Sequence, residues 1–338
     1  MTVRIGINGF GRIGRNFLRA ARHLGADVDV VAVNDLTSAE TLAHLLKYDS
    51  THGRFGSDVS VEGTDLVLDS GRIAVLAERE PKALPWSELG VDVVIESTGH
   101  FTSRESAGAH LDAGAKRVII SAPGTGVDAT FVVGVNDDQF DPAKDFVVSN
   151  ASCTTNCFVP MVKVLDDAFG VESGLMTTVH AFTNDQNLLD LPHKDLRRAR
   201  AASINIVPAS SGAARATSLV LESMKGRLDG AALRVPVADG SITDFTAVLP
   251  GTVTVEQINT AFAAAAASGP LSKVLVYTED PIVSTDIVGS PASCTFDAGL
   301  TMALPSASGI TLVKVNGWYD NEWGYANRLV DLSLVVGA

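Results

Sequence analysis

Hydrophobic and polar positions along this chain fall into two textures. From residue 3 to about residue 150, short Val/Ile-rich runs at 3–7, 28–33, 91–96, 117–121 and 146–149 predict strands. Stretches with helical spacing, at 12–23, 39–47 and 103–113, lie between some of them. Such alternation predicts a parallel sheet with helices on both faces. The texture then changes. A helix is predicted over 155–169, followed by longer strands over 174–181, 231–236, 243–249 and 310–318. Neighbours among these are read as antiparallel, so the second half is predicted to be an α+β domain. Residues 190–202 form a basic loop carrying Lys194, Arg197, Arg198 and Arg200, and 321–336 close the chain as a helix. The alanine run at 263–267 is an ordinary helix interior. No internal repeat or low-complexity linker is evident.

Bulk properties narrow this picture. A length of 338 residues suits two domains, and 46% hydrophobic against 19% charged residues supplies a sizeable core. The formal net charge of −13 opposes nucleic acid and anionic membranes as general partners. An anionic substrate therefore needs a local cluster of arginines, backbone N–H groups and hydroxyls. The three cysteines, Cys153, Cys157 and Cys294, are too few and too odd in number for a disulfide framework, which predicts a reducing compartment. No apolar stretch approaches the roughly 18 residues of a membrane span. The amino terminus runs straight into a strand pattern, so no leader is expected and the cytoplasm is the default location.

Gly9-Phe10-Gly11-Arg12-Ile13-Gly14 matches the dinucleotide fingerprint G-x-G-x-x-G. The motif alone is weak, but a hydrophobic strand precedes it and a helix follows. A second strand then ends at Asn34-Asp35, about 20 residues past the last glycine. Gly9 suits the tight turn, Gly11 the close approach of a pyrophosphate, and Gly14 the packing of helix on sheet. The pyrophosphate would meet the free N–H groups of the helix start. Asp35 can accept hydrogen bonds from an adenosine ribose and would repel a 2′-phosphate. The fold class expected is α/β: a Rossmann-type doubly wound parallel sheet plus an α+β domain with a mostly antiparallel sheet.

Cys153 lies at the junction of the two textures, just before a predicted helix. A thiol there feels the positive end of the helix dipole, which lowers its pKa, and a nearby imidazolium would lower it further. The thiolate is the form that attacks carbonyls. A cytosolic cysteine is otherwise a small buried hydrophobe, and Cys157, one helical turn on, fits that description. Cys-x-x-x-Cys is not a redox spacing, and three cysteines offer no zinc quartet. His180 ends a strand and is the candidate base for Cys153, though sequence alone does not bring them together.

Ser149-Asn150-Ala151-Ser152-Cys153-Thr154-Thr155-Asn156-Cys157 resembles the active-site signature of the glyceraldehyde-3-phosphate dehydrogenases. The likeness covers nearly the whole chain. It includes the segments at 7–15, 96–99, 177–186 and 208–214, then Arg234-Val235-Pro236 and Trp318-Tyr319-Asp320-Asn321-Glu322. The resemblance implies a tetramer of identical subunits. It implies an NAD-binding Rossmann domain over 1–150, a catalytic domain over 151–318, and a carboxy-terminal helix over 319–338 that returns to the first domain. By resemblance Cys153 is the nucleophile and His180 its partner. Thr183, Asp185 and Arg234 look like the site for the substrate's C3 phosphate. Ser152, Thr154, Ser211 and Gly212 look like contacts to inorganic phosphate, joined by Arg198 or its neighbour Arg197. Arg12, Ile13, Asp35, Arg79, Ser121 and Asn321 look like NAD contacts, with Asn321 on the nicotinamide carboxamide. The basic loop is implied to reach a neighbouring subunit's cofactor, and there it carries the apolar pair Leu191-Pro192. Ser211 stands where the family usually has threonine, and 124–130 departs from the family pattern.

The chemistry implied is oxidative phosphorylation of D-glyceraldehyde 3-phosphate to 1,3-bisphosphoglycerate with NAD and inorganic phosphate, through a Cys153 thiohemiacetal and thioester. No metal is implied. The alternatives are a sister enzyme, erythrose-4-phosphate dehydrogenase, a more distant semialdehyde dehydrogenase, and a non-enzymatic binding protein on the same fold. The segments 183–186 and 208–214 resemble the glyceraldehyde enzyme rather than its sister.

Overall fold

Runs that are apolar without alternation become the central strands of a nine-stranded sheet. The computed structural model describes residues 2–338, and its contacts divide into two units. One comprises residues up to Ala151 together with Ala326–Ala338; the other is Ser152–Tyr325. In the first unit the strand order is Ala129–Thr130, Val147–Ser149, Arg117–Ile120, Val93–Glu96, Val3–Asn8, Val28–Asn34, Gly71–Leu76, Asp65–Leu68 and Val59–Glu62. Pairing is parallel as far as Gly71–Leu76 and antiparallel beyond it. All four residues of Val93–Glu96 are buried, as expected for a strand covered on both faces.

The antiparallel edge was not anticipated. Residues 59–62 do alternate, but their hairpin rests on short turns at Gly63 and before Gly71, both with positive φ, rather than on a long apolar run. The helix expected over 103–113 is interrupted. It forms as Arg104–Ala107 and Ala109–Asp112, with Gly108 between them and a tightened bond from Leu111 N–H to Gly108 O.

The carboxyl ends of three central strands carry polar side chains in a continuous chain of hydrogen bonds. Trp86 Nε1 donates to His110 Nδ1 (2.9 Å), so the ring proton sits on Nε2, which faces Glu96 Oε2 at 3.0 Å. The same Glu96 oxygen accepts from Asn8 Nδ2 (2.6 Å), and its other oxygen accepts from Thr98 N (2.8 Å). Asn8 Oδ1 in turn accepts from Asn34 Nδ2 at 2.7 Å.

The second unit holds an eight-stranded sheet. Its main path runs Val207–Ser210, Leu228–Val235, Ser173–Ala181, Ser241–Pro250, Ile310–Tyr319, Cys294–Asp297 and Leu275–Thr278, and Met302–Pro305 pairs with Ile310–Tyr319 off that path. The sheet is mostly antiparallel, but Leu275–Thr278 and Cys294–Asp297 are parallel, and among the strands anticipated the expectation of antiparallel neighbours fails at one place. Ser173–Ala181 and Leu228–Val235 are parallel, because the long segment between them acts as a crossover. The helix predicted from 155 starts two residues earlier, as Cys153–Phe169, because Ser152 caps it by accepting from Thr155 N. The final helix is Trp323–Gly337, and from Ala326 onward it belongs to the first unit.

Helix Cys153–Phe169 packs on its sheet through Phe158, whose ring meets Phe245 edge-on at 4.8 Å; both are fully buried. Helix Val255–Ala267 stacks Phe262 on Phe296 at 3.7 Å. Phe245→Ala removes the ring that seats the first of these helices. We expect it to cost about 3–5 kcal/mol in urea unfolding, and a loss under about 1 kcal/mol would show that this face is not the packed one.

Candidate active site

Cys153 is the first residue of its helix and His180 the penultimate residue of strand Ser173–Ala181. Cys153 Sγ lies 3.4 Å from His180 Nε2. On the far side of the ring, His180 Nδ1 lies 2.7 Å from Ala181 O and 2.5 Å from Arg234 Nη1. The parallel register makes this possible, since His180 and Arg234 are direct Cα partners. The two contacts call for opposite tautomers: Ala181 O needs a proton on Nδ1, whereas Arg234 Nη1, which can only donate, would need a bare one. The Ala181 carbonyl also accepts from Arg234 Nη1 at 3.1 Å and can serve both donors, so the proton is assigned to Nδ1 and Nε2 is left as an acceptor facing the thiol.

Burial, and after it the Arg234 charge, push the His180 pKa down to about 3. This suits the expected role of His180 as a base, and it leaves no imidazolium to lower the thiol pKa. The ring is neutral, and the cation acting on Cys153 is Arg234. The Cys153 thiol lies above its ordinary value, against the lowering expected at a helix start: burial outweighs Arg234 and the backbone N–H groups of Thr154 and Cys153, which act in the other direction. The side chain is nevertheless only partly buried, unlike Cys157 and Cys294.

The residues around this pair have defined partners. Ser152 Oγ accepts from Thr155 N and lies 2.7 Å from Thr155 Oγ1. Thr154 points inward, with Oγ1 2.8 Å from Tyr319 OH, and Thr178 Oγ1 lies at the same distance from that hydroxyl. Arg198 pairs with Asp185 and Asp195, and Asp185 also lies 3.6 Å from His193. Arg197 is exposed, whereas the charges of Arg198 and Asp185 are both felt at Arg234. Arg198 is thus the loop arginine that the fold brings to this cluster. Thr183 follows the His180 strand and is half-buried. Ser211 accepts from Ala213 N at 3.3 Å, beside Gly212 at the start of a short helix. Tyr319 and Ser241 escaped the sequence reading as site residues. Their signal was positional: they are cross-strand partners at the ends of two long strands.

The glycine turn in the first unit can be tested against a dinucleotide by what a Cβ would meet. At Gly9, with φ +91°, a Cβ would lie 2.7 Å from Thr98 N, and at Gly14 it would lie 2.3 Å from Gly9 O. Both glycines are required by the protein's own packing. At Gly11 a Cβ would meet nothing within 4 Å, so the space beside it is open to a ligand. Helix Arg12–Leu24 has no side-chain cap and no acidic residue in its first turn, which leaves its N–H groups available to an anion. The Arg12 guanidinium is gripped by Asp49 at 3.0 and 3.2 Å, so Arg12 and Ile13 offer backbone N–H groups here. A cleft of about 380 Å³ is lined by Gly9, Gly11, Asp35 and Arg79. Asp35 is held by Phe10 N and Thr37 N, both at 3.0 Å. Ser121 follows strand Arg117–Ile120 and is not among the residues lining that cleft. Asn321, in the second unit, is buried and accepts from Ser241 Oγ at 2.6 Å.

A glycine turn shaped for a dinucleotide, and a thiol paired with a neutral histidine, define an NAD-dependent oxidoreductase of the aldehyde class. Comparison with known proteins makes the assignment specific. Residues 3–104 match the NAD binding domain of glyceraldehyde 3-phosphate dehydrogenase, and residues 152–321 match its C-terminal domain. The chain is 59% identical over 337 residues to glyceraldehyde-3-phosphate dehydrogenase of Streptomyces coelicolor, covering 100% of this chain and 99% of that protein. It is 61% identical over 337 residues to glyceraldehyde-3-phosphate dehydrogenase 1 of Streptomyces avermitilis, with the same coverage. It is 60% identical over 343 residues to the enzyme of Mycobacterium avium, again at 100% and 99% coverage. The chain belongs to the glyceraldehyde-3-phosphate dehydrogenase family.

The three thiols differ enough in setting to be separated chemically. Brief, substoichiometric iodoacetamide is expected to label Cys153 alone, read by mass spectrometry; predominant labelling at Cys157 or Cys294 contradicts the assignment. Because His180 is already neutral, the labelling rate should rise with pH through one inflection, that of the thiol. A second inflection between pH 5 and 8 would mean that His180 titrates there.

Proposed function

We propose that the chain oxidises D-glyceraldehyde 3-phosphate to 1,3-bisphosphoglycerate, using NAD and inorganic phosphate, through a thioester on Cys153. The observation that carries this reading is the 3.4 Å approach of Cys153 Sγ to the acceptor nitrogen of His180. The thiol gives its proton toward His180 Nε2 and its sulfur adds to the aldehyde carbon, forming the thiohemiacetal. The backbone N–H of Cys153, at the first position of its helix, steadies the oxyanion. His180 then holds the hydroxyl proton as the carbonyl forms. Bound NAD supplies the hydride acceptor. The thioester that results is attacked by inorganic phosphate, and the sulfur leaves as thiolate.

Cofactor contacts are assigned to Gly9, Gly11, Arg12, Ile13, Gly14, Asp35, Arg79, Ser121 and Asn321. Thr183, Asp185 and Arg234 are assigned to the substrate phosphate, and Ser152, Thr154, Arg198, Ser211 and Gly212 to inorganic phosphate. Thr154 serves through its backbone, since its side chain is bonded to Tyr319.

Arg234 has a second effect on this chemistry. In the free protein its charge opposes protonation of His180. A phosphate dianion on Arg234 offsets that charge and raises the basicity of the ring. The base is therefore strengthened by the substrate it serves.

Support for a homotetramer comes from an uncovered face of the second unit's sheet, where Leu175 is 68% and Leu312 44% exposed. Three free thiols favour a cytoplasmic location, and among the described residues no helix is long and apolar enough to cross a membrane.

The direct test is NADH formation from glyceraldehyde 3-phosphate with and without inorganic phosphate. Turnover that ignores phosphate, or that runs equally well on erythrose 4-phosphate, overturns the reading. In the same assay Arg234→Ala is expected to raise KM for the sugar phosphate about 10- to 100-fold, with a smaller effect on KM for inorganic phosphate. A larger effect on inorganic phosphate would show the two anion sites to be exchanged.

Asp35 predicts cofactor preference. A 2′-phosphate would place like charge against a carboxylate already fixed by two N–H groups. Leu191, exposed in the basic loop, offers such a phosphate no partner. We expect NAD to exceed NADP in kcat/KM by at least about 100-fold. Comparable values for the two refute this, and an unchanged ratio in Asp35→Gly removes Asp35 as the cause.

A further inference from the structure

Strand Ser173–Ala181 pairs with Ser241–Pro250 as far as Val179 opposite Ile242. Beyond that point the ladder stops. Gly240, at φ +86°, turns the chain away, and a Cβ there would lie 2.3 Å from Ser284 O. The Ala181 N–H is therefore left without a backbone partner on the neighbouring strand. A side chain takes the vacant place: Ala181 N donates to Ser241 Oγ at 3.1 Å. Ser241 is 1% exposed. Its single proton then goes to Asn321 Oδ1, 2.6 Å away.

This chain of bonds fixes something that crystallographic density often leaves open, the direction of an asparagine amide. With Oδ1 committed to Ser241, Asn321 has only its NH2 group to present. That group has no partner within the described protein. Were the amide turned over, Ser241 Oγ would receive two donors and its own proton would have no acceptor in the network. Ala181 also holds His180 and Arg234, because its carbonyl accepts from His180 Nδ1 (2.7 Å) and Arg234 Nη1 (3.1 Å). The backbone of one residue, Ala181, thus sets the histidine through its C=O and the asparagine through its N–H.

We propose that Ser241 is a positioning residue for the nicotinamide end of NAD. Its hydroxyl, anchored on Ala181 N–H, turns the Asn321 amide so that the NH2 group donates to the carbonyl oxygen of the cofactor's carboxamide. The inference rests on the assignment of Asn321 to that carboxamide. It adds the device that selects the donor face of the amide, and it ties that face to the strand end that carries His180.

The test is calorimetric binding of NAD and of ADP-ribose, which lacks the nicotinamide, to the wild type, Ser241→Ala, Asn321→Ala and the double variant. Ser241→Ala is expected to weaken NAD about 3- to 10-fold and leave ADP-ribose unchanged. Because Ser241 acts through Asn321, the double variant should bind NAD no more weakly than Asn321→Ala alone. Wild-type NAD affinity in Ser241→Ala, additive losses in the double variant, or equal losses for NAD and ADP-ribose each overturn the proposal. If Asn321→Ala itself binds NAD as the wild type does, the underlying assignment of Asn321 has failed. If Asn321→Ala weakens NAD and Ser241→Ala does not, only the role of Ser241 has failed. Should Ser241→Ala not fold, Ser241→Cys, a weaker donor, carries the same comparison with the same outcomes.

Discussion

One parallel register governs the chemistry of this chain: His180 beside Arg234 on adjacent strands. A histidine buried at a strand end is already disposed to stay neutral. A guanidinium against the same ring makes the neutral form firm, and Ala181 O fixes which nitrogen carries the proton. The result is an acceptor nitrogen facing Cys153. An antiparallel arrangement of the same two strands would have put Arg234 at the opposite end of the ladder. The sulfur would then have had a histidine without its cation. The long crossover that permits the parallel pairing also carries the basic loop, so Arg198 and Asp185 come to this cluster through the same topological choice.

A comparable constraint operates in the first unit. Asn8, Asn34 and Glu96 stand at the carboxyl ends of three adjacent parallel strands, with His110 and Trp86 completing the chain beneath them. Burying so many polar groups is tolerable only when each is bonded, and a network satisfied in this way admits few alternative arrangements. Ser97 Oγ donates to Gly9 O at 2.7 Å, and Gly9 leaves no room for a side chain beside Ser97 and Thr98. The glycine turn is thereby held on the strand ends. The rigidity beneath it serves the open space beside Gly11, the one glycine of the three that the protein's own packing does not require.

Much of this was legible in the sequence because the signals were local. Strand 3–7, the glycine turn and helix 12–23 appear within a residue of the expected places, since a buried parallel strand and a capless helix start each leave a short, dense pattern. The parallel pairing of the His180 strand was not legible, because direction depends on a crossover of more than forty residues that carries no periodicity. The hairpins at 59–76 were missed because they sit half-exposed at a sheet edge, where alternation is shallow. The charge state of His180 could not be read either. Its neighbour Arg234 is 54 residues away in sequence, and burial together with that neighbour keeps the ring neutral.

The same geometry shows how a chain with a formal charge of −13 makes a place for anions. Its site arginines are not bare; each is held by partners that an anion can replace. Arg198 is paired with Asp185 and Asp195, and Arg234 rests on the Ala181 carbonyl and the His180 ring. The two differ in what replacement costs. A phosphate reaching Arg198 must take the guanidinium from Asp185 and Asp195. At Arg234 it displaces only a carbonyl and a neutral ring, and burial strengthens whatever charge-assisted bond forms. On the proposed assignments, Arg234 is the stronger anchor and Arg198 the more readily exchanged one. That ordering suits a reaction in which the phosphate already attached to the substrate must be held throughout, while the attacking phosphate must arrive, react and leave as part of the product.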